Sequence, residues 1–228
     1  MKNMHNADLS NRHLKTAVGE WLERTTGEDI PEELRAYAAR RLINPLLSFL
    51  YTPAPLIKWR AVTAIGGLVA GLADENMESA RVIMRRLMWS LNDESGGIGW
   101  GAPESMGEIM TRHLRLAEEF HAMMISYLAP NENYLEHAGL QPGLLWGIGR
   151  LVRVRKNLMT AAEKFLPPYL ASPDADIRGH AAWAAAGLDA ETLRPVLKQL
   201  EKDNALFSLY RNHRLERITV GSAACSNL

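Results

Sequence analysis

Apolar residues recur every three to four positions through most of the chain, which is the spacing of amphipathic helices, and strand-like alternation is nearly absent before residue 204. Proline, glycine, aspartate and asparagine separate the periodic segments. The pattern predicts five helix pairs, at about 8–24 and 31–50, 55–72 and 77–91, 102–112 and 114–128, 142–156 and 159–170, and 174–187 and 190–201. A short helical stretch is expected near 132–138.

Several residues mark where these helices should begin. A proline in the first turn loses no hydrogen bond, because the N–H groups there have no partner within the helix. Such prolines are Pro31, Pro103, Pro142 and Pro173. A short polar side chain just before the first turn can accept hydrogen bonds from those N–H groups. The N-cap candidates are Asp29, Asn76, Ser172 and Asp189.

The first helices of the pairs share a template in which small and apolar residues follow one another closely. Two copies are clear, residues 58–66 (KWRAVTAIG) and 178–186 (RGHAAWAAA), and three are weaker, residues 11–19, 102–110 and 141–149. Successive copies start 37 to 47 residues apart. Two helices in a repeat of this length are typical of HEAT and armadillo proteins, in which helix pairs stack into a solenoid.

Residues 172–188 (SPDADIRGHAAWAAAGL) resemble the start of a HEAT repeat of the phycobilisome-lyase-like subgroup, where a proline and an aspartate open the helix, an arginine follows and alanines pack closely. Residues 56–66 (LIKWRAVTAIG) are similar. Together with residues 92–105 (NDESGGIGWGAPES), these segments resemble a family of bacterial HEAT-like repeat proteins. The resemblance implies an all-α fold, an α-solenoid of about five HEAT-like helix pairs, and it implies no known reaction.

The last part of the chain follows a different pattern. Residues 204–219 alternate between apolar and polar positions on either side of a turn-like segment at 211–214. We expect a β-hairpin there, followed by a short helix with Thr219 as its N-cap, and one more amphipathic helix is the alternative. The chain is therefore predicted to form a solenoid over residues 1–203 and a capping segment of the same domain over residues 204–228.

Composition and charge exclude several classes of protein. Of 228 residues, 47% are hydrophobic, and the 26 Lys and Arg balance the 26 Asp and Glu, so no overall field attracts nucleic acid or an acidic membrane. The single cysteine, Cys225, cannot form an internal disulfide. No signal peptide is recognised, and the longest uncharged apolar run, 61–73, is too short to span a bilayer. We expect a cytoplasmic protein that does not enter a membrane.

Residues 92–104 (NDESGGIGWGAPE) combine four glycines with a tryptophan and three carboxylates. A phosphate-binding glycine loop follows a strand and is accompanied by a lysine or an acidic residue at a fixed spacing. Here the preceding segment is helical and no such lysine follows, so a nucleotide site is not predicted. The segment should join two helices, the second beginning near Pro103 with Glu104 in its first turn.

The helix before this joint offers the best candidate binding site. Arg81, Arg85 and Trp89 follow one another at four-residue steps, on a different face from the apolar stripe. Trp89 could pack under the glycine segment or stack on Arg85, which would be a purely structural role. Tryptophan and arginine are also residues that often anchor protein interfaces. The candidate binding residues are Arg85, Trp89, Asp93, Glu94, Trp100 and Glu104.

The sequence gives less support to metal binding, catalysis or nucleic-acid binding. Glu118 and His121 have the Glu-x-x-His spacing of di-iron bundles, but those sites need a second such motif. No spacing of histidines or carboxylates predicts a metal site, a cofactor or a catalytic pair. The basic run 150–156 (RLVRVRK) could line a nucleic-acid groove, but it lacks interleaved aromatic residues, and we expect a solvated helix face instead.

The sequence therefore predicts a non-enzymatic protein-binding or scaffold protein, with a protein partner of unknown identity and no cofactor. Two alternatives stay open. One is an accessory enzyme of the bilin-lyase type, which the resemblance suggests, and the other is a HEAT-like nucleic-acid-binding protein, which rests on the basic run.

Overall fold

A computed structural model of the chain describes residues 10–25, 30–92 and 98–225. The helices are α1 (Asn11–Arg24), α2 (Glu32–Arg35), α3 (Ala39–Phe49), α4 (Pro55–Glu75), α5 (Met77–Leu91), α6 (Ala102–Arg112), α7 (Leu114–Ser126), α8 (Gln141–Met159), α9 (Pro167–Leu170), α10 (Ala175–Leu188), α11 (Arg194–Leu200) and α12 (Val220–Ala224). Between α11 and α12, strands β1 (Leu206–Arg211) and β2 (Arg214–Thr219) form a two-stranded sheet.

The helices pair and stack side by side. α4, α6, α8 and α10 form one layer in which each helix contacts the next, and these helices carry four of the five copies of the sequence template. α5 packs against α4 and α6, and α7 packs against α6 and α8. Stacked helix pairs that mainly contact their neighbours define a solenoid. The predicted α-solenoid of HEAT-like helix pairs is therefore confirmed.

Small residues let the helices of this layer approach closely. A Cβ atom placed on Gly107 of α6 would lie 2.5 Å from the Cα atom of Gly147 of α8, so the two backbones nearly touch. On α10, four alanines at template positions are fully buried. Side chains that flank the α6–α8 crossing are consequently held at short distance from one another.

Helix α4 runs through the core of the stack, where Trp59, Val62 and Ile65 are buried. By length and composition it is the one helix in the described part of the chain that could cross a membrane, but 56% of its most apolar window is buried inside the protein. A helix covered on several sides by neighbours needs apolar residues around most of its circumference, and α4 is covered by α3, α5 and α6.

Two predicted helices are divided in the structure. The segment predicted as one helix at 31–50 forms α2 and α3, which are separated at 36–38, where Ala38 has non-helical backbone angles. The segment predicted at 159–170 forms a 3-10 helix, Thr160–Phe165, followed by the short α9. Pro167 and its neighbouring proline cannot donate the hydrogen bonds that a continuous helix would need there.

The short helical stretch predicted near 132–138 is found a few residues later, as a 3-10 helix at Ala138–Leu140. Residues 132 and 133 form a turn, and residues 134–137 have no regular secondary structure. Nδ2 of Asn133, in this turn, donates to Oγ of Ser126 at 3.0 Å and so ties the turn to the end of α7.

The predicted helix caps are borne out in part. Asn76 caps α5 as predicted, and its side chain accepts from a backbone N–H of the first turn. Asp174 caps α10 in place of Ser172, since the helix begins at the next residue. Asp189 ends α10 in the left-handed conformation and does not start a helix. Asp29 lies outside the described residues.

The predicted β-hairpin is confirmed, with β1 and β2 paired antiparallel. Its turn residues Asn212 and His213 have φ angles of 48° and 62°, and a two-residue turn that follows the twist of the strands requires positive φ at both positions. Thr219 accepts a hydrogen bond from the N–H of Ser222 and so caps α12, as predicted.

The hairpin lies across the layer of template helices. The ring of Tyr210 stacks on that of Trp59 of α4, with 4.8 Å between centroids, and its hydroxyl lies 3.0 Å from Oγ1 of Thr63. Nε1 of Trp146, on α8, donates to the main-chain oxygen of Tyr210 at 2.8 Å. The hairpin thereby closes one side of a space between α4, α8 and α10.

Candidate functional site

Two carboxylates on α6 lie one turn apart and face into the helix layer. Glu104 and Glu108 are only 3% and 2% exposed. Glycines on the neighbouring helices make room for them. A Cβ atom on Gly143 of α8 would lie 2.4 Å from Cδ of Glu104, and one on Gly66 of α4 would lie 2.5 Å from Cγ of Glu108. Buried carboxylates are stable only when charged or polar partners replace the lost water.

Cations from adjacent helices supply these partners. Nζ of Lys58, on α4, lies 2.6 Å from Oε1 of Glu104. Glu108 is shared by Arg112, whose Nη2 lies 2.7 Å from Oε1, and by Arg150 of α8, whose Nε lies 2.9 Å from Oε2. Nη2 of Arg150 also donates to Oε1 at 3.2 Å. The ion pairs therefore tie α4 and α8 to α6.

Beside Glu108, the hairpin and the helix layer border an open cavity of about 310 Å³, which we name the arginine cavity. Arginine and aromatic side chains make up most of its wall. The lining residues are Thr63, Glu108, Trp146, Arg150, Arg153, Trp183, Tyr210, Arg211, Asn212 and His213.

Arg153 of α8 is held against Trp183 of α10. The centre of its guanidinium group lies 3.8 Å from the ring centroid of Trp183. Its Nη1 donates to the main-chain oxygen of Gly149 at 3.0 Å and its Nη2 to that of Trp183 at 3.1 Å. Burial, together with the positive charges of Arg150 and Arg211, lowers the pKa of Arg153 to about 10. An anion in the cavity would relieve this repulsion among the three arginines.

Two other donors border the cavity. Arg211, at the end of β1, donates through Nε and Nη2 to Oε2 of Glu216 at 2.9 and 2.6 Å. Trp183 is 2% exposed, and its Nε1 has no hydrogen-bond partner among the described residues. A buried N–H group without an acceptor is energetically costly.

The arrangement suits an anionic ligand. Among the described lining residues, three guanidinium groups face one carboxylate, that of Glu108. Guanidinium groups bind carboxylates and phosphates through paired N–H donors. Within residues 10–25, 30–92 and 98–225, no group of three His, Cys, Asp or Glu side chains could hold a metal ion.

The chain resembles known proteins in its architecture. No protein-family model matches it. An uncharacterized protein of Archaeoglobus fulgidus is 27% identical over 175 residues, which cover 76% of this chain and 88% of that protein. The crystal structure of an engineered protein matches with a TM-score of 0.54 and 13% sequence identity over 87% of each chain, which supports the fold alone. Designed armadillo repeat proteins for modular peptide recognition match with a TM-score of 0.49 and 14% identity, over 86% of this chain and 89% of that one.

The repeat length and the stacked helix pairs give the chain a HEAT/armadillo-like repeat fold. Within this fold, the candidate residues on α5 lie on its outer face. Arg85 pairs with Glu78, with Nη2 and Oε1 2.5 Å apart, and Trp89 is 77% exposed. Asp93 and Glu94 lie outside the described residues.

Trp100 and Glu104 lie in different surroundings from each other and from the outer face of α5. The Trp100 ring meets that of His137 edge-on at 5.4 Å and borders a second cavity, of about 330 Å³, with Tyr51 and Leu87. Glu104 lies in the first turn of α6, as predicted, but its carboxylate is buried beside Lys58. The structure therefore brings Arg85 and Trp89 together on one helix face and separates both from Glu104.

The arginine cavity is the feature that sequence reasoning missed. The expectation of a solvated face for the basic run 150–156 is wrong for Arg150, which holds a buried carboxylate, and for Arg153, which stacks on Trp183. One available signal was the recurrence of Trp146 and Trp183 at the same position of the repeat template. In a solenoid, equivalent positions of consecutive repeats lie side by side on one face.

Proposed function

We propose that this chain is a non-enzymatic binding protein that holds a protein partner by taking an anionic side chain of that partner into the arginine cavity. The excess of donors over acceptors in the cavity carries this proposal. Three arginines line it, opposite the carboxylate of Glu108. The proposed setting is the cytoplasm, as the composition predicts.

A repeat fold suits a protein partner, because a solenoid offers an extended surface along which a segment of another chain can lie. Clusters of arginine are a recurring means of recognising acidic motifs in proteins. The turn residues Asn212 and His213 line the same cavity. A segment anchored there would contact the helices and the hairpin together.

The outer face of α5 is a second proposed contact for the same partner. Trp89 is 77% exposed, and Val82, two turns earlier on the helix, is 53% exposed. Large aromatic side chains on the surface often become central contacts when two proteins associate. We assign Arg85 and Trp89 to this second contact, separate from the arginine cavity.

Capture of the partner on immobilised protein, from a lysate of the native host, tests the cavity. We expect Arg153→Gln to reduce the captured protein at least about tenfold, since it removes one desolvated charge from the site. Capture by the wild-type protein should also weaken as salt concentration rises. Trp89→Ala should give a smaller reduction, because it removes only the second contact.

Arg194→Gln is the matched control, because Arg194 is an exposed arginine that pairs with Asp189 and Glu191 and does not line the cavity. This variant should capture the partner as the wild-type protein does. Circular dichroism establishes that each variant is folded. Full capture by a folded Arg153→Gln variant would contradict the proposal.

The same capture separates the two other functions that the sequence leaves open. A bound bilin with visible absorbance would favour an accessory enzyme of the phycobilisome-lyase type. Recovery of nucleic acid alone, with an affinity that falls steeply with salt, would favour a nucleic-acid-binding protein. Either result without a protein partner would overturn the proposed function.

A further inference from the structure

We infer that the group held in the arginine cavity is a phosphomonoester on a side chain of the partner, such as phosphoserine, and not the carboxylate of an acidic residue. This identification rests on the proposed function and adds the chemistry of the anchor. The charge balance of the cavity, the direction of its donors and its size each favour the phosphomonoester.

The charge balance favours an anion with two charges. Three arginines and the carboxylate of Glu108 line the cavity, so the described lining carries two more positive than negative charges. The nearest ion-pair partners leave this excess unchanged, since Glu216 offsets Arg211 and Arg112 offsets Glu108. A phosphomonoester carries nearly two negative charges at neutral pH, whereas a glutamate side chain carries one.

The donors approach from more directions than one carboxylate can use. Arg150 and Arg211 each hold a carboxylate through Nε and Nη2, which leaves Nη1 of each for a ligand. These donors belong to α8 and the hairpin. A phosphate group presents three oxygens around a tetrahedron, while a carboxylate presents two in one plane.

The size of the cavity also fits the bulkier group. Its volume of about 310 Å³ exceeds by several times the roughly 30 Å³ that one water molecule occupies, so a tetrahedral group and part of its stem can enter together. The rings of Trp146 and Tyr210 line the cavity and can contact the stem. The N–H group of Trp146 is not available to a ligand, because it donates to the main-chain oxygen of Tyr210.

Calorimetric titration with two small probes tests the inference. N-acetyl-phosphoserine amide and N-acetyl-glutamate amide share a backbone and have side chains of similar reach, with two charges and one charge respectively. We expect the phosphoserine probe to bind at least about tenfold more tightly. Arg153→Gln should remove this preference and Arg194→Gln should keep it.

Each other outcome has a definite meaning. Equal affinity for the two probes, or binding of neither by a protein that still captures its partner through Arg153, would overturn the phosphomonoester and leave the proposed function standing. Tighter binding of inorganic phosphate than of the phosphoserine probe would overturn the inference that the phosphate group belongs to a protein side chain. Capture of the partner that is indifferent to Arg153→Gln would overturn the proposed function itself, together with the anchor that rests on it.

Discussion

Glu108→Gln is expected to lower the free energy of unfolding by about 3 kcal/mol. Glu108 is 2% exposed and joins Arg112 of its own helix to Arg150 of α8. The amide can accept from one guanidinium group but turns a donor toward the other, so one positive charge loses its partner. The expected cost lies at the lower end of the range for broken buried pairs, because Arg112 and Arg150 keep 20% and 31% of their side-chain surface exposed.

Urea unfolding followed by circular dichroism measures this effect. Glu119→Gln is the matched control, because Glu119 accepts two hydrogen bonds from Arg81 at 2.6 and 2.7 Å but lies at the surface of α7. Surface pairs contribute little to stability, so this variant should unfold at nearly the wild-type urea concentration. Equally small changes in the two variants would show that Glu108 does not tie α6 to α8.

Gly107→Ala is expected to lower the free energy of unfolding by about 1–3 kcal/mol, although alanine is the better helix former. The new methyl group would lie 2.5 Å from Cα and 2.9 Å from the main-chain oxygen of Gly147. Both contacts are with backbone atoms of α8, which cannot rotate out of the way as a side chain can. The two helices would have to separate, and the contact between Glu108 and Arg150 would lengthen with them.

Gly71→Ala makes the same chemical change and is expected to have the opposite effect on the free energy of unfolding. Gly71 lies on the exposed side of α4, and a Cβ atom there would meet nothing within 4 Å. Alanine should therefore raise the free energy of unfolding by about 0.5–1 kcal/mol through its higher helix propensity. Thermal unfolding of both variants checks the pair. A stabilising Gly107→Ala would contradict the close crossing of α6 and α8.

The sequence predicts most of the fold because its signals are local. The apolar spacing at 77–91 locates α5 with its observed ends, and the alternation around 211–214 locates the hairpin. The repeated template identifies the helices that share a layer, since copies of one pattern must bury the same face. Helical spacing alone does not reveal the break at 36–38 or the turn at 132–133, because apolar residues continue at helical intervals through both segments.

Less of the candidate site can be predicted from the sequence, because helical spacing does not report which distant residues come together. The exposed face of α5 can be read from a single helical wheel, and Arg85 and Trp89 do share it. The arginine cavity needs partners that are far apart in the chain. Arg150 lies 42 residues from Glu108, and the turn of the hairpin reaches back to helices that precede it. Only the stacking of repeats brings these groups together, and it turns a basic run that looks solvated into a cavity wall.

The most direct test of the proposed anion site is a titration of the isotope-labelled protein with sulfate, a tetrahedral dianion. It is followed through the indole N–H signals of the six tryptophans in NMR spectra. Trp183→Phe and Trp89→Phe assign the two signals that matter. We expect the Trp183 signal to shift saturably, the exposed Trp89 signal to stay in place, and Arg153→Gln to abolish the shift. A Trp183 signal that does not move, or that only follows ionic strength together with Trp89, would contradict an anion site in the arginine cavity.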